Sequence, residues 1–251
     1  MHIARLGLTP VKGMAHTPLE RLDVNADGPP YDRVFCLVEA DTGRVLRTVE
    51  NDLLMACHAA WEPPVLTIRT PVGEATGEVV DGAAMTGFYW EREIKLVTAD
   101  GPWSPLLSEY VRRPVVLCRV PDPGAVVWAG SVSVVSTSSL VELARRLGRP
   151  HDDGARFRPT VVVDTGDAPP FIEDTWVGSR LRLGSAVVTV DERLPRCAVV
   201  NALPAAGGRD AAVLKALAGD RLEGTDIFFG VSGDVDRPGR LVTGDPVRLL
   251  P

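Results

Sequence analysis

Short apolar runs begin within the first residues of the chain and recur throughout it, and few of them last long enough to build a helix. Rich in Val, Ile, Leu and Thr, they predict strands at 2–9, 33–40, 44–48, 65–70, 94–98, 115–120, 132–135, 160–164, 180–190, 227–232 and 246–250. The 24 glycines and 21 prolines punctuate these runs, a rhythm that suits closed or sandwiched sheets better than regular βαβ alternation. Asp41-Thr42-Gly43-Arg44 carries a hairpin turn signal between two of them. Helical patterning is confined to three places. Ser104 and Pro105 predict an N-cap and a first helical residue for a helix reaching Val111. Residues 136–147 put Leu140, Leu143 and Leu147 on one face and run into Gly148, and residues 209–218 predict a shorter third helix. The pattern changes from pure β to β with helices at Thr98-Ala99-Asp100-Gly101-Pro102, which predicts a smaller N-terminal domain over 1–98 and a larger one over 99–251. The expected fold class is mostly β with a few helices.

Composition narrows the function classes. A chain of 251 residues with 45% hydrophobic content can bury a real core. A net charge of −6, with no block of five or six like charges, argues against a general nucleic-acid surface. No apolar run approaches 18 residues, and Met1-His2-Ile3-Ala4-Arg5-Leu6 enters a strand-like pattern at once, so a cytoplasmic protein without a membrane partner is expected. The glycine-rich nucleotide loops and the Gly-x-Ser-x-Gly elbow of hydrolases are missing. The histidines at 2, 16, 58 and 151 are scattered and give no zinc-like spacing.

The four cysteines divide by context. Cys36 and Cys118 lie inside apolar strand runs, where a thiol behaves as a small hydrophobe, and the neighbours of Cys57 also favour packing. Cys197 differs, because it ends Arg193-Leu194-Pro195-Arg196-Cys197 and follows Arg196 directly. A thiolate there would feel positive charge and could act as a nucleophile or a soft-metal ligand. The plainer alternative is a half-buried structural thiol.

Four segments bear on that choice: Thr9-Pro10-Val11-Lys12-Gly13; Tyr31-Asp32-Arg33-Val34-Phe35; Arg156-Phe157-Arg158-Pro159-Thr160; and Phe171-Ile172-Glu173-Asp174-Thr175-Trp176 followed by Pro195-Arg196-Cys197. Phe229-Gly230-Val231 and Thr243-Gly244-Asp245-Pro246-Val247 complete the set. In this order and spacing they resemble the molybdenum cofactor sulfurase C-terminal (MOSC) family together with its N-terminal β-barrel domain. The chain is similar to the amidoxime-reducing branch, comprising the mitochondrial amidoxime-reducing component and bacterial relatives. The resemblance implies an N-terminal β-barrel-like domain followed by a MOSC β-barrel domain. It also implies a molybdenum cofactor, a pterin dithiolene with a terminal phosphate, whose metal Cys197 would ligate as the catalytic centre.

By the same resemblance Lys12, Arg33 and Arg158 match positions that bind the cofactor, and Arg196 adjoins the ligand. Lysine suits a phosphate as a point charge, whereas arginine offers a planar fork to phosphate or pterin acceptors. Without the family, Arg33, which follows Asp32 at a strand start, reads as a surface or domain-interface ion pair, Lys12 as solvated charge and Arg158 as a bridge between strand and helix. Glu173 and Asp174 read as structural partners and Trp176 as core. The chain also departs from the family pattern. Gly13 replaces a serine, so only its backbone N–H could donate, and Val126-Val127-Trp128-Ala129-Gly130-Ser131 lacks the usual acidic residue, leaving Ser131 as a substitute donor. An arginine usual after the first hairpin is displaced, with Arg47 nearest and Val49 at its place.

The implied activity is reduction of N-hydroxylated or other N-oxygenated small molecules. No flavin or iron–sulfur motif is visible, so the electrons are expected from a separate donor protein. A cofactor carrier or sulfur-transfer protein, and a cofactor-free binding protein on the same fold, stand as alternatives.

Overall fold

The computed structural model describes residues 1–150 and 154–250, so His151 and Pro251 lie outside the described residues. The N-terminal half begins with β1 (His2–Leu8), β2 (Thr17–Leu19), β3 (Arg21–Val24) and β4 (Phe35–Glu39). It continues through β5 (His58–Glu62), β6 (Val65–Thr70), β7 (Gly73–Glu78), β8 (Val80–Tyr89) and β9 (Arg92–Asp100) to α1 (Trp103–Val111) and β10 (Val115–Arg119). The C-terminal half holds β11 (Val132–Ser136), α2 (Thr137–Arg146), β12 (Val161–Asp164), β13 (Arg180–Leu183), β14 (Ala186–Arg196) and α3 (Val213–Arg221). It ends with β15 (Leu222–Glu223), β16 (Asp226–Arg237), β17 (Gly239–Val242) and β18 (Val247–Leu250).

The fold is mostly β with three α-helices among the described residues, as the apolar pattern predicts. A nine-stranded sheet runs β18-β13-β14-β16-β11-β12-β1-β2, with β15 on β16. Smaller sheets run β4-β10-β9-β8 and β5-β6-β7, and β17 pairs with β3. None of these paths closes into a hydrogen-bonded ring among the described residues. Pairing crosses the expected 98/99 boundary in both directions. β1 pairs with β12 and β3 with β17, while β10 joins β4 and β9. The apolar faces explain this: Ile3, Leu6 and Leu22 pack with Val163 and Leu241, whereas Trp103, Leu107 and Leu117 pack with Phe35 and Leu66.

Local chemistry corrects several expectations. Residues 180–190 are not one strand, because Gly184 at φ +56° turns the chain between β13 and β14. The 44–48 run makes only isolated bridges, Val45 to Val38 and Arg44 to Phe88, although the Gly43 turn (φ +67°) forms as expected. α1 starts at Trp103 with Pro102 at its N-cap, and Ser104 instead accepts a hydrogen bond from the Leu117 amide at 3.0 Å. α2 begins as predicted, its Ser136 hydroxyl accepting from the Ser139 amide at 3.2 Å, a cap worth about 1 kcal/mol. The third helix forms later than predicted, at Val213–Arg221. Among the described residues no helix is long and apolar enough to cross a membrane.

Candidate functional site

The first segment of the site is stapled to the second by backbone. The Arg33 amide donates to Thr9 O at 2.8 Å, the Phe35 amide to Pro10 O at 3.0 Å and the Lys12 amide to Phe35 O at 2.8 Å. The Thr9 amide adds a bond to Asp32 Oδ1 at 2.8 Å, and the other Asp32 oxygen pairs with the Arg33 guanidinium. Arg33 is thus ion-paired with its own neighbour Asp32, and the pair sits inside the site. Arg33 itself adopts φ +52°, in the left-handed region that a non-glycine residue enters only at some cost. Gly13 follows Lys12 at φ +92°, and a Cβ there would lie 3.1 Å from both Leu54 Cδ1 and Thr48 Oγ1. A buried left-handed turn in that space favours glycine at this position.

The third segment supplies Arg158. A short helical turn at Ala155–Phe157 ends on it in the left-handed region, at φ +50°. The following Pro159 carbonyl lies 2.9 Å from His16 Nε2. His16 is wedged so tightly over Gly7 that a Cβ there would lie 2.2 Å from His16 Cε1. Burial, opposed by the Pro159 contact, pushes the His16 pKa down to about 4, and Arg33 and Arg158 push the same way. The fourth segment is the end of β14. Arg196 Nε donates to Phe229 O at 2.8 Å, and its guanidinium lies 5.2 Å from the Phe157 ring, which stacks on Phe229 at 4.3 Å. Gly230, at φ +75°, leaves room for that guanidinium, since a Cβ would sit 3.3 Å from Arg196 Nη2 and 2.8 Å from Val134 O. Cys197 caps the strand in an extended conformation with its side chain exposed, whereas Cys36, Cys57 and Cys118 are buried.

These pieces converge. Burial and the neighbouring Arg33 lower the Arg158 pKa to about 10, against the favourable charge of the Cys197 thiolate. Burial lowers Arg196 to about 9, again offset by Cys197 and worsened by Arg158 and Arg33. Lys12 falls to about 7 through burial, with Arg33 and Arg158 adding repulsion. Its Nζ donates to Val126 O at 2.8 Å and to Tyr89 Oη at 3.1 Å. The structure thus brings Lys12, Arg33, Arg158, Arg196 and Cys197 into one electrostatic cluster whose carboxylate neutralisation comes chiefly from Asp32. Two of its donors, Arg158 Nε and Arg196 Nη2, are buried without a hydrogen-bond partner among the described residues.

Ser131 lies elsewhere. It faces a cavity of about 650 Å³ that Tyr31, Asp32, Arg33, Trp61 and Arg119 also border. Neither Lys12 nor Cys197 lines this cavity among the described residues, so it adjoins the cluster at Arg33 rather than enclosing it. The Ser131 amide donates to Asp234 Oδ1 at 2.9 Å, and its hydroxyl is buried without a partner. Arg47 stays outside the cluster, bonded to Glu50 Oε2 at 3.0 Å and laid over the Trp90 ring at 4.4 Å.

Glu173 and Asp174 are structural, as the sequence indicates, although their segment is a turn of 3-10 helix rather than extended chain. Glu173 is fully buried and accepts from the Ser136 and Ser139 hydroxyls at 2.5 and 2.8 Å, while Asp174 pairs with Arg221 at 2.7 Å. Trp176 is core at 1% exposure. Sequence reasoning missed His16 and Tyr89. A histidine four residues beyond Lys12 on the same loop was a usable signal, whereas Tyr89 reaches Lys12 only through the pairing of β8.

The donor set defines what could fit. Among the described residues no three His, Cys, Asp or Glu side chains gather as a metal site. A metal here would take Cys197 from the protein and bring its other ligands with it, and a soft metal suits the thiolate. Three arginines, one lysine and unpartnered buried N–H and O–H groups suit the phosphate and heterocyclic acceptors of an anionic carrier. The residues fit a dithiolene pterin cofactor.

Comparison with known proteins gives two family matches, the MOSC domain over residues 121–248 and the MOSC N-terminal beta barrel domain over residues 1–102. No curated protein matches the chain. Among solved structures the chain is similar to the YUAD protein from Bacillus subtilis, at 14% identity over 98% of this chain and 93% of that one, with a TM-score of 0.49. It is also similar to YiiM from Geobacillus stearothermophilus, at 17% identity over 48% of this chain and 54% of that one, with a TM-score of 0.35.

Proposed function

The chain belongs to the MOSC family, and from that premise we propose that it is a molybdenum-cofactor-dependent oxidoreductase that reduces N-hydroxylated or other N-oxygenated small molecules. The observation that carries this reading is the set of buried, partnerless arginine donors around an exposed cysteine. Cys197 would hold the metal. Lys12, Arg33, Arg158 and Arg196 would hold the phosphate and pterin, with the Gly13 amide as a further donor, whereas Ser131 lies outside this cluster. When bound, the cofactor supplies a redox centre able to accept an oxygen atom from the substrate. Overall, an N–OH group, two electrons and two protons become N–H and water.

The chain's own residues prepare that site. The Asp32–Arg33 pair and the His16–Pro159 contact hold two left-handed arginines in place before any ligand arrives, so little reorganisation is needed on binding. An anion against Lys12 offsets the repulsion from Arg33 and Arg158, moves its pKa back up from about 7 and keeps the proton on Nζ at neutral pH. The electrons would come from a separate donor protein, in a cytoplasmic setting.

The test is anaerobic turnover by protein produced in a cofactor-competent host, with a chemically reduced dye as donor and an N-hydroxylated compound as acceptor. The expected result is two electrons consumed per amine formed, with Cys197→Ser slower by at least about 100-fold because the metal's protein ligand is lost. A loaded protein that leaves the dye reduced but passes its cofactor to an acceptor enzyme would make this chain a carrier instead.

A further inference from the structure

Beside the cation cluster the molecule exposes a pair of tryptophans that the proposed chemistry does not use. Trp90 is 48% exposed and Trp128 66%, and their ring centroids lie 5.6 Å apart at 51°. Both are tied to the site by short paths. Trp90 follows Tyr89, whose hydroxyl accepts from Lys12 at 3.1 Å. Trp128 lies two residues after Val126, whose carbonyl accepts the second Lys12 bond. Lys12 therefore bridges the two segments that carry the pair.

The backbone adds an independent observation. Trp90 and Glu91 form the two-residue loop between β8 and β9, and Trp90, the first of them, has φ +56°. Glycine or asparagine is usual at such a position, and a bulky side chain there is strained. An exposed tryptophan in a strained conformation gains neither burial nor a relaxed backbone from folding. Arg47 lies over the Trp90 ring at 4.4 Å and orders it, while Trp128 carries most of the open apolar surface.

We propose that Trp90 and Trp128 form a stacking platform beside Lys12 that selects substrates whose N–O group is attached to a planar aromatic ring. Tryptophan offers a large rigid face on which a flat ring stacks, and a puckered ring of equal size cannot match it. The 5.6 Å between centroids leaves no room for a ring to slide between the two indoles, so the substrate would lie on their exposed side with its N–O end toward Lys12. This inference rests on the reductase reading for the identity of the reacting group, but not for the preference between rings.

The experiment compares N-phenylhydroxylamine with N-cyclohexylhydroxylamine, first as ligands by calorimetry on the oxidised, cofactor-loaded protein and then as substrates with the artificial donor. The phenyl compound is expected to bind about tenfold more tightly, and Trp128→Ala and Trp90→Asn should each bring the ratio toward one. Trp90→Asn relieves the strained turn, so its thermal midpoint should not fall, which separates lost stacking from lost folding. Equal affinity for the two rings, a ratio unmoved by both substitutions, or no binding of the phenyl compound overturns the platform. Ring-selective binding without turnover keeps the platform and defeats the reductase reading, and turnover without ring selectivity does the reverse.

Discussion

Arg156 and Arg158 are two residues apart and live in opposite environments. Arg156 is 3% exposed and donates to Val200 O at 3.1 Å, Ala202 O at 3.3 Å and Asp210 Oδ1 at 3.3 Å. Around it the same pattern repeats: Arg149 meets Asp210 at 2.9 Å, and Arg146 meets Asp220 and Glu142, each at 2.8 Å. Carboxylates raise the Arg146 pKa, and the guanidiniums of Arg145 and Arg146 pull Glu142 down to about 2. Arg158, in contrast, has a buried Nε with no hydrogen-bond partner among the described residues, and burial and repulsion depress it together with Arg196 and Lys12. One region is saturated with counter-charge and stabilises the fold. The other is starved of it, and a fold keeps such a debt only where something else supplies the anion.

The sharpest way to break this contrast is to remove one arginine from each region. Arg156→Gln should destabilise the protein by about 3 kcal/mol in urea unfolding, because Asp210 and two buried carbonyls lose a donor. Arg158→Gln should leave the cofactor-free protein as stable as before or slightly more so, by up to about 1 kcal/mol, since it removes a repulsive charge. Similar losses in the two variants would erase the distinction.

A smaller effect should follow from supplying the anion. Inorganic pyrophosphate added to the cofactor-free protein should raise its thermal midpoint by several degrees at about 100 times its Kd, less at high salt, and hardly at all in Arg158→Gln. Heat stabilisation that survives in Arg158→Gln would place the anion elsewhere.

A further test reads a pH dependence with a defined sign. The Lys12 pKa lies near 7 in the fold against an ordinary value of 10.5, so between those limits the unfolded chain binds the extra proton. Stability of the cofactor-free protein should therefore rise with pH across that window, and Lys12→Met should flatten the rise. His16 acts in the same sense lower down, its contribution growing as pH rises from about 4 to 6.5. A fall in stability from pH 7 to 10 that Lys12→Met leaves unchanged would show that Lys12 carries no such burden.

The strand framework and the outline of the starved region were legible in the sequence, whereas the ion pairs of the saturated region were not. Apolar periodicity located the strands from β9 to β12 and the face of α2, because those segments bury a continuous stripe. The arginine next to Cys197 marked it out among four cysteines, and the Phe157-Arg158-Pro159 run pointed to the second guanidinium. Strands such as β7 and β8 escaped notice because their burial is sparse and their residues polar or small, so no alternation showed. The exchange of β1 and β10 across the expected boundary was hidden for a different reason: a strand's pattern states which face is buried, not against which partner. Tyr89 reaches Lys12 only through the pairing of β8 with β9.

The most direct test of the starved cluster is the molybdenum-to-protein ratio of the native chain, Cys197→Ser and Arg158→Gln, all purified alike from a cofactor-competent host. Near-stoichiometric metal in the native protein, lost from both variants while their thermal midpoints hold, is the predicted result. A native protein free of molybdenum, or a Cys197→Ser variant that keeps it, would contradict the assignment of this site.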